Sequence, residues 1–175
     1  MLLPKGDTKM QITLKNIKHS EFASQETYCY QASIYVDGIK SGTVRNDGWG
    51  GADHIEWNSK EIEQRVDAWV SAQPRMPVPW DKSETIKFSL EILFSNLIDE
   101  WLSEKEFKRV LRKGLIIINN NNEKGSYSLY KIPAYYKEKK AELFQRIVKL
   151  EIVNKDAICL NILPTTEAFK LFHSA

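Results

Sequence analysis

A chain of 175 residues with 42% hydrophobic and 27% charged content has the size of one globular domain, or of one domain with a small appendage, and its composition excludes wholesale disorder. Cys29 and Cys159 stand far apart with no C-x-x-C, which excludes a disulfide framework, a zinc ribbon and a thioredoxin motif and points to reduced thiols in a cytoplasm. The net charge of +2 hides an asymmetry, because twelve Lys/Arg and only five Asp/Glu fall between residues 104 and 149.

Met1 to Lys9 carry no apolar leader segment, Met10 offers a second start, and no run approaches the roughly 18 apolar residues of a membrane span. Met10 to Ile17 alternate apolar and polar residues, the period of a half-buried strand. Thr27 to Val36 alternate in the same way, Asp37-Gly38 supplies the positive-φ residues of a two-residue turn, and Ile39 to Val44 return. A glycine-rich loop follows, N-D-G-W-G-G-A-D-H from Asn46 to His54. Asn58 and Glu61 have capping-box spacing, and Ile62, Val66, Trp69 and Val70 give an amphipathic helix that Pro74 stops. Pro74, Pro77 and Pro79 then make a stiff connector.

Ser83 is expected to cap a second helix with its apolar set at Ile86, Leu90, Leu93, Phe94, Leu97, Trp101 and Leu102. Ser103 and Glu106 repeat the capping box and open a short basic helix that Gly114 terminates. Leu115 to Ile118 and Ser126 to Ile132 flank the polar tip Asn119 to Gly125 as a second hairpin. Pro133 fits the first turn of a helix whose buried stripe is Tyr136, Leu143, Phe144 and Ile147. Ala157 to Leu163 read as a last strand, and Thr165 as the cap of a C-terminal helix. The expectation is therefore an α+β fold: an antiparallel sheet from an N-terminal three-strand unit, about five helices and a second short hairpin in the C-terminal half. It forms one domain over 1–175, with a subdivision into a strand-rich part (10–73) and a helix-rich part (83–175) about the connector 74–82.

No complete catalytic set is present. His54-Ile55-Glu56 matches the H-x-E half of a zinc deaminase signature, but P-C-x-x-C is absent, as are H-E-x-x-H, G-K-[ST] and G-x-S-x-G. The glycine loop has the strand-to-helix position of a phosphate loop, yet Asp47, Asp53 and Glu56 put negative charge where an anion would sit. The expected sites thus contain no catalytic residue, no metal ligand and no cofactor. What stands out is Trp49, flanked by glycines, which either folds back onto the core or faces a partner; Trp is the type most enriched in interface hot spots. Trp49, Asp53 and His54 form one candidate contact surface. Arg112, Lys137, Lys139 and Lys140, beside Tyr135 and Tyr136, form a second, either a solvated face or an anion-binding one.

The runs I-T-L-K-N-I-K (12–18), Y-V-D-G-I-K-S-G-T-V with N-D-G-W-G-G, and L-N-I-L-P-T-T-E-A-F-K-L-F (160–172) resemble small uncharacterised proteins encoded by phages, prophages and plasmids. No activity is known for that group, so the resemblance implies a genomic setting and no catalytic residue. Small proteins of mobile elements are frequently accessory factors that block a host enzyme or nucleoprotein, anti-restriction and anti-CRISPR inhibitors among them. The leading expectation is a non-enzymatic, macromolecule-binding accessory protein of a phage or mobile element, acting on a host protein or nucleoprotein in the host cytoplasm, without a membrane partner. Nucleic-acid binding through 104–149 is the alternative, and an enzyme of unknown class the third.

Overall fold

The computed structural model describes residues 10–78, 81–119, 126–150, 152–153 and 155–174. The readings of Met1 to Lys9, of Pro79 and Trp80, and of most of the hairpin tip (120–125) lie outside the described residues. The chain forms two compact units divided between Asp99 and Glu100, within a helix and not at the proline segment.

The first unit is built on a four-stranded antiparallel meander, β1 (Ile12–His19), β2 (Cys29–Val36), β3 (Ile39–Asp47) and β4 (His54–Trp57), paired in chain order. The expected three strands gain a fourth, because His54-Ile55-Glu56-Trp57 alternates exposed and half-buried residues over a run too short to signal a strand alone. The β2–β3 turn is as expected, with Asp37 at φ 51° and Gly38 at φ 82°. Tyr30, Ala32, Ile34, Val36 and Val44 are buried on one face of the sheet.

Helix α1 (Lys60–Ser71) starts one residue later than the Asn58 box implies. Ser59 accepts from the Ile62 amide at 3.3 Å, while Asn58 donates its side chain to the Lys40 carbonyl at 3.0 Å. The proline segment is not a linker: β5 (Met76–Val78) pairs antiparallel with β6 (Asp81–Ile86). A two-stranded ribbon has only edges, and an edge tolerates a residue without an amide proton. Ser83 lies in β6, so the second helix, α2 (Leu90–Lys113), is capped by Ser89, whose hydroxyl accepts from the Ile92 amide at 3.3 Å. The separate basic helix does not exist, since α2 runs through Ser103 without a break. Glu106 bonds Arg109 one turn ahead, and neither Gly nor Pro interrupts the run from Leu102 to Lys113.

The second unit is a three-stranded sheet, ordered β8-β7-β9, from β7 (Gly114–Ile118), β8 (Ser128–Lys131) and β9 (Ile158–Cys159). Strand β7 is central, and its alternating side chains serve two cores. Leu115 and Ile117 join Leu143, Phe144 and Ile147 of α3 (Lys140–Lys149). Ile116 joins Phe107 and Val110 of α2 with Leu160 and Ala168, the last on α4 (Thr165–Ser174). Three expectations are corrected here. Pro133 opens only a 3-10 turn (Ala134–Tyr136), since Lys139 stands outside helical dihedrals and α3 begins after it. The last strand shortens to two residues because Leu160–Ile162 wind into a second 3-10 turn. Thr165 is the first residue of α4 and not its cap, the Pro164 carbonyl accepting the first helical bond from Ala168 at 2.9 Å. Among the described residues there are four α-helices, and none is long and apolar enough to cross a membrane.

Candidate functional site

The Asn46 side chain makes the most bonds to the β3–β4 loop. Asn46 accepts from the Thr27 hydroxyl and the Gly48 amide, both at 2.9 Å, and donates to the Gly51 carbonyl at 2.9 Å and to Asp53 Oδ1 at 3.0 Å. Its carboxamide thus uses both donor protons and two acceptor positions. The Gly48 carbonyl in turn accepts from the amides of Gln25 and Glu26 at 3.0 Å and of Thr27 at 3.4 Å, which ties the β1–β2 loop to the β3–β4 loop. Gly48 has φ +88°, and a Cβ there would lie 2.1 Å from the Ala23 carbonyl oxygen, so only glycine lets these loops meet.

Two aromatic side chains stand out from this braced pair. Trp49, whose amide donates to Asp47 Oδ1 at 3.2 Å, is 66% exposed, and Phe22 on the β1–β2 loop is 98% exposed. Trp49 therefore faces outward, which answers the question its sequence leaves open.

Beside the loop lies a cavity of about 280 Å³, lined by Thr27, Tyr28, Tyr30, Asn46, Gly50, Gly51, Ala52, Asp53, Glu91 and Ser95. Cross-strand partners share a face, so Tyr30 and its partner Asn46 both point to this side. Tyr30 is only 6% exposed and its hydroxyl has no hydrogen-bond partner. Burial, then the nearby Asp53 carboxylate and Glu91, push the Tyr30 phenol far up, so it stays protonated. Asp53 lies near enough to raise it by hydrogen bonding as well as by charge, although the pair falls outside strict hydrogen-bond geometry. The Tyr28 hydroxyl donates to Asp99, and that bond, with burial second, pushes its pKa up to about 12.

His54 does not join Trp49 and Asp53. It pairs across the sheet with Arg45, and Arg45 with Gln31, a row on the face opposite Tyr30 and Asn46. Its imidazole lies 3.3 Å from Glu56, with the two side chains 57% and 68% exposed. The pair is solvated on an open sheet face, and among the described residues no group of three or more His, Cys, Asp or Glu is placed to hold a metal.

The second candidate surface draws its residues from separate elements. Arg112 lies on α2, where Trp101, Glu104, Lys105, Lys108, Arg109 and Arg112 line a groove of about 410 Å³. Lys108 bonds Glu104 at 2.6 Å, and Arg109 bonds Glu106, whose carboxyl it holds below its ordinary pKa. Lys137 follows the 3-10 turn at Ala134–Tyr136, Lys139 donates to the Tyr135 hydroxyl at 2.9 Å with its ammonium 4.4 Å from that ring's centre, and Lys140 opens α3.

Sequence reading missed Phe22, Thr27, Tyr30, Asn46, Glu91 and Ser95. Phe22 alone carries a local signal, as an isolated aromatic in the polar run H-S-E-F-A-S-Q-E; Glu91 and Ser95 are brought in by a helix distant in sequence. No protein-family model matches this chain, and no curated protein or solved structure matches it.

Proposed function

We propose that this is a non-enzymatic binding protein of a phage or mobile element, which engages a host protein or nucleoprotein through its two braced loops and acts as an inhibitor of a host defence enzyme. The supporting observation is the exposure of Trp49 and Phe22 on loops tied together through Gly48 and Asn46. Large aromatics that are exposed but rigidly mounted lose little conformational entropy on docking, and they supply the anchors on which interface energy concentrates. The phage setting rests on the resemblance of the N-terminal runs and of residues 160–172. Trp49→Ala should remain folded, with stability within about 0.5 kcal/mol of the parent. It should lose capture of the partner from host lysate by about thirtyfold, a hot-spot loss of about 2 kcal/mol. Undiminished capture by a doubly substituted Trp49→Ala, Phe22→Ala protein would overturn the proposal.

A second reading is favoured by the α2 groove, where Lys105 sits 5.0 Å from the Trp101 ring centre beside Lys108, Arg109 and Arg112. Stacking and phosphate contact would then bind single-stranded nucleic acid. Two of the four cations are engaged by Glu104 and Glu106, which lowers the charge on offer. Affinity for an oligonucleotide should fall steeply between low and physiological salt and weaken in Arg112→Ala; no binding at low salt removes this reading.

A further inference from the structure

The segment 131–149 carries six cations, Lys131, Lys137, Lys139, Lys140, Arg146 and Lys149, against two carboxylates, Glu138 and Glu142. Among the described residues, only Lys139 and Glu142 of these eight form an ion pair, at a loose 3.9 Å, so the excess charge is left to solvent. Into this field the 3-10 turn after Pro133 sets two rings with different surroundings. Tyr136 is half-buried against the core of Leu143, Phe144 and Ile147, and its hydroxyl accepts from Arg146 at 2.9 Å. Tyr135 meets it edge to face, with ring centres 5.0 Å apart, and is 67% exposed. Lys139 lies over the Tyr135 ring and donates to its hydroxyl, while the Tyr136 amide closes the turn onto the Pro133 carbonyl at 2.9 Å. An exposed ring mounted in this way has little rotamer freedom left to lose on docking.

We propose that this turn and the adjoining helix α3 form a binding platform for single-stranded nucleic acid, with a base stacked on Tyr135 and the flanking phosphates on Lys137, Lys139 and Arg146. The charge excess complements a phosphate backbone, and the exposed ring supplies a plane for a base, which a polyphosphate or a carboxylate-rich chain would not require. A duplex keeps its bases stacked on one another, whereas a single strand offers their faces to a ring on an open surface. The two tyrosines divide the work as their packing dictates. Tyr136 is held by the core and by Arg146, and so fixes the ring of Tyr135; the lysines, point charges on flexible stems, follow the backbone. The inference rests on the nucleic-acid reading for its ligand class and moves the site away from the α2 groove, where two of the four cations are engaged by carboxylates. It is independent of the loops that carry Trp49 and Phe22.

The test is fluorescence anisotropy of the full chain with a labelled short oligothymidylate, compared with an abasic deoxyribose-phosphate oligomer of equal length and with the oligothymidylate annealed into a duplex. At low salt the single strand should bind more tightly than the duplex and about tenfold more tightly than the abasic oligomer. Tyr135→Ala should weaken the oligothymidylate about tenfold and leave the abasic oligomer unchanged, whereas loss of a merely structural tyrosine would weaken both alike. Tyr135→Phe, which keeps the ring, should retain binding. Lys137→Ala should lower the slope of log affinity against log salt by about 0.7, the share of one phosphate contact on a single strand. No binding at low salt, equal binding of the abasic oligomer or the duplex, or full binding by Tyr135→Ala overturns the proposal. Loss of binding in Arg112→Ala with full binding in Tyr135→Ala also overturns it, while leaving the α2 groove standing as the site.

Discussion

Tyr30 and Gly48 show how far a residue's part in a site depends on atoms remote in sequence. Tyr30 reads as one apolar position in an alternating strand; only its pairing with Asn46, and the arrival of Asp53 and Glu91, set its buried hydroxyl in the field of two carboxylates. Because that hydroxyl makes no bond in the folded protein, Tyr30→Phe should leave stability unchanged or raise it by up to about 1 kcal/mol in urea denaturation. Gly48 and Gly51, three residues apart, should respond oppositely to alanine. Gly48→Ala meets a positive φ and the Ala23 carbonyl, and should cost at least about 2 kcal/mol. Gly51→Ala meets open space at an ordinary φ, and should stay within about 0.5 kcal/mol. Trp49 could be read as conspicuous from its flanking glycines, but its direction could not, because direction follows from the Asn46 and Gly48 bonds that hold the loop.

Elements were legible where their determinants are local. Asp37-Gly38 specifies the turn of its hairpin, and Leu143, Phe144 and Ile147 mark the buried stripe of α3 within a single turn and a half. Elements were misread where two local signals compete, as at Ser83 and Ser89, or where a cap-like pair lies inside a longer periodic run, as at Ser103 and Glu106. Strand β4 and the β5–β6 ribbon are stabilised by their partners and not by a pattern of their own. Asn161 belongs to the same class: its side chain accepts from the Ile116 amide at 2.8 Å and donates to the carbonyls of Gly114 at 3.0 Å and Leu111 at 3.3 Å. It joins the end of α2 to β7, satisfying a carbonyl that the helix terminus leaves over. Asn161→Ala should cost about 1–3 kcal/mol by denaturant melting, and Asn161→Asp, which keeps the acceptor and loses both donors, should recover only part of that.

At the scale of the whole molecule, the two tyrosines of the cavity couple folding to alkaline pH. Tyr28 is pushed up to about 12 from an ordinary 10.0, and Tyr30 is raised in the same direction. Between those values the unfolded chain has released protons that the folded chain still holds, so stability is full below pH 10 and falls as pH rises toward 12. Phenolate absorbance should show a late-titrating fraction that Tyr28→Phe and Tyr30→Phe remove, and the urea midpoint should drop across the same interval. The division into two units falls inside α2, where periodicity is continuous and no Gly or Pro marks it, although the basic segment begins a turn later at residue 104. Sequence by itself determined the α+β class, the antiparallel hairpins, the amphipathic faces and the aromatic glycine loop, because each is written in residues within a few positions of one another. Only the tertiary structure decided that Trp49 faces solvent, that Asp53 turns to Asn46 while His54 lies on the opposite face of the sheet, and that Glu91 comes within electrostatic reach of Tyr30. Those outcomes depend on strand register and on a helix packed from far along the chain, and neither is encoded at the residues themselves.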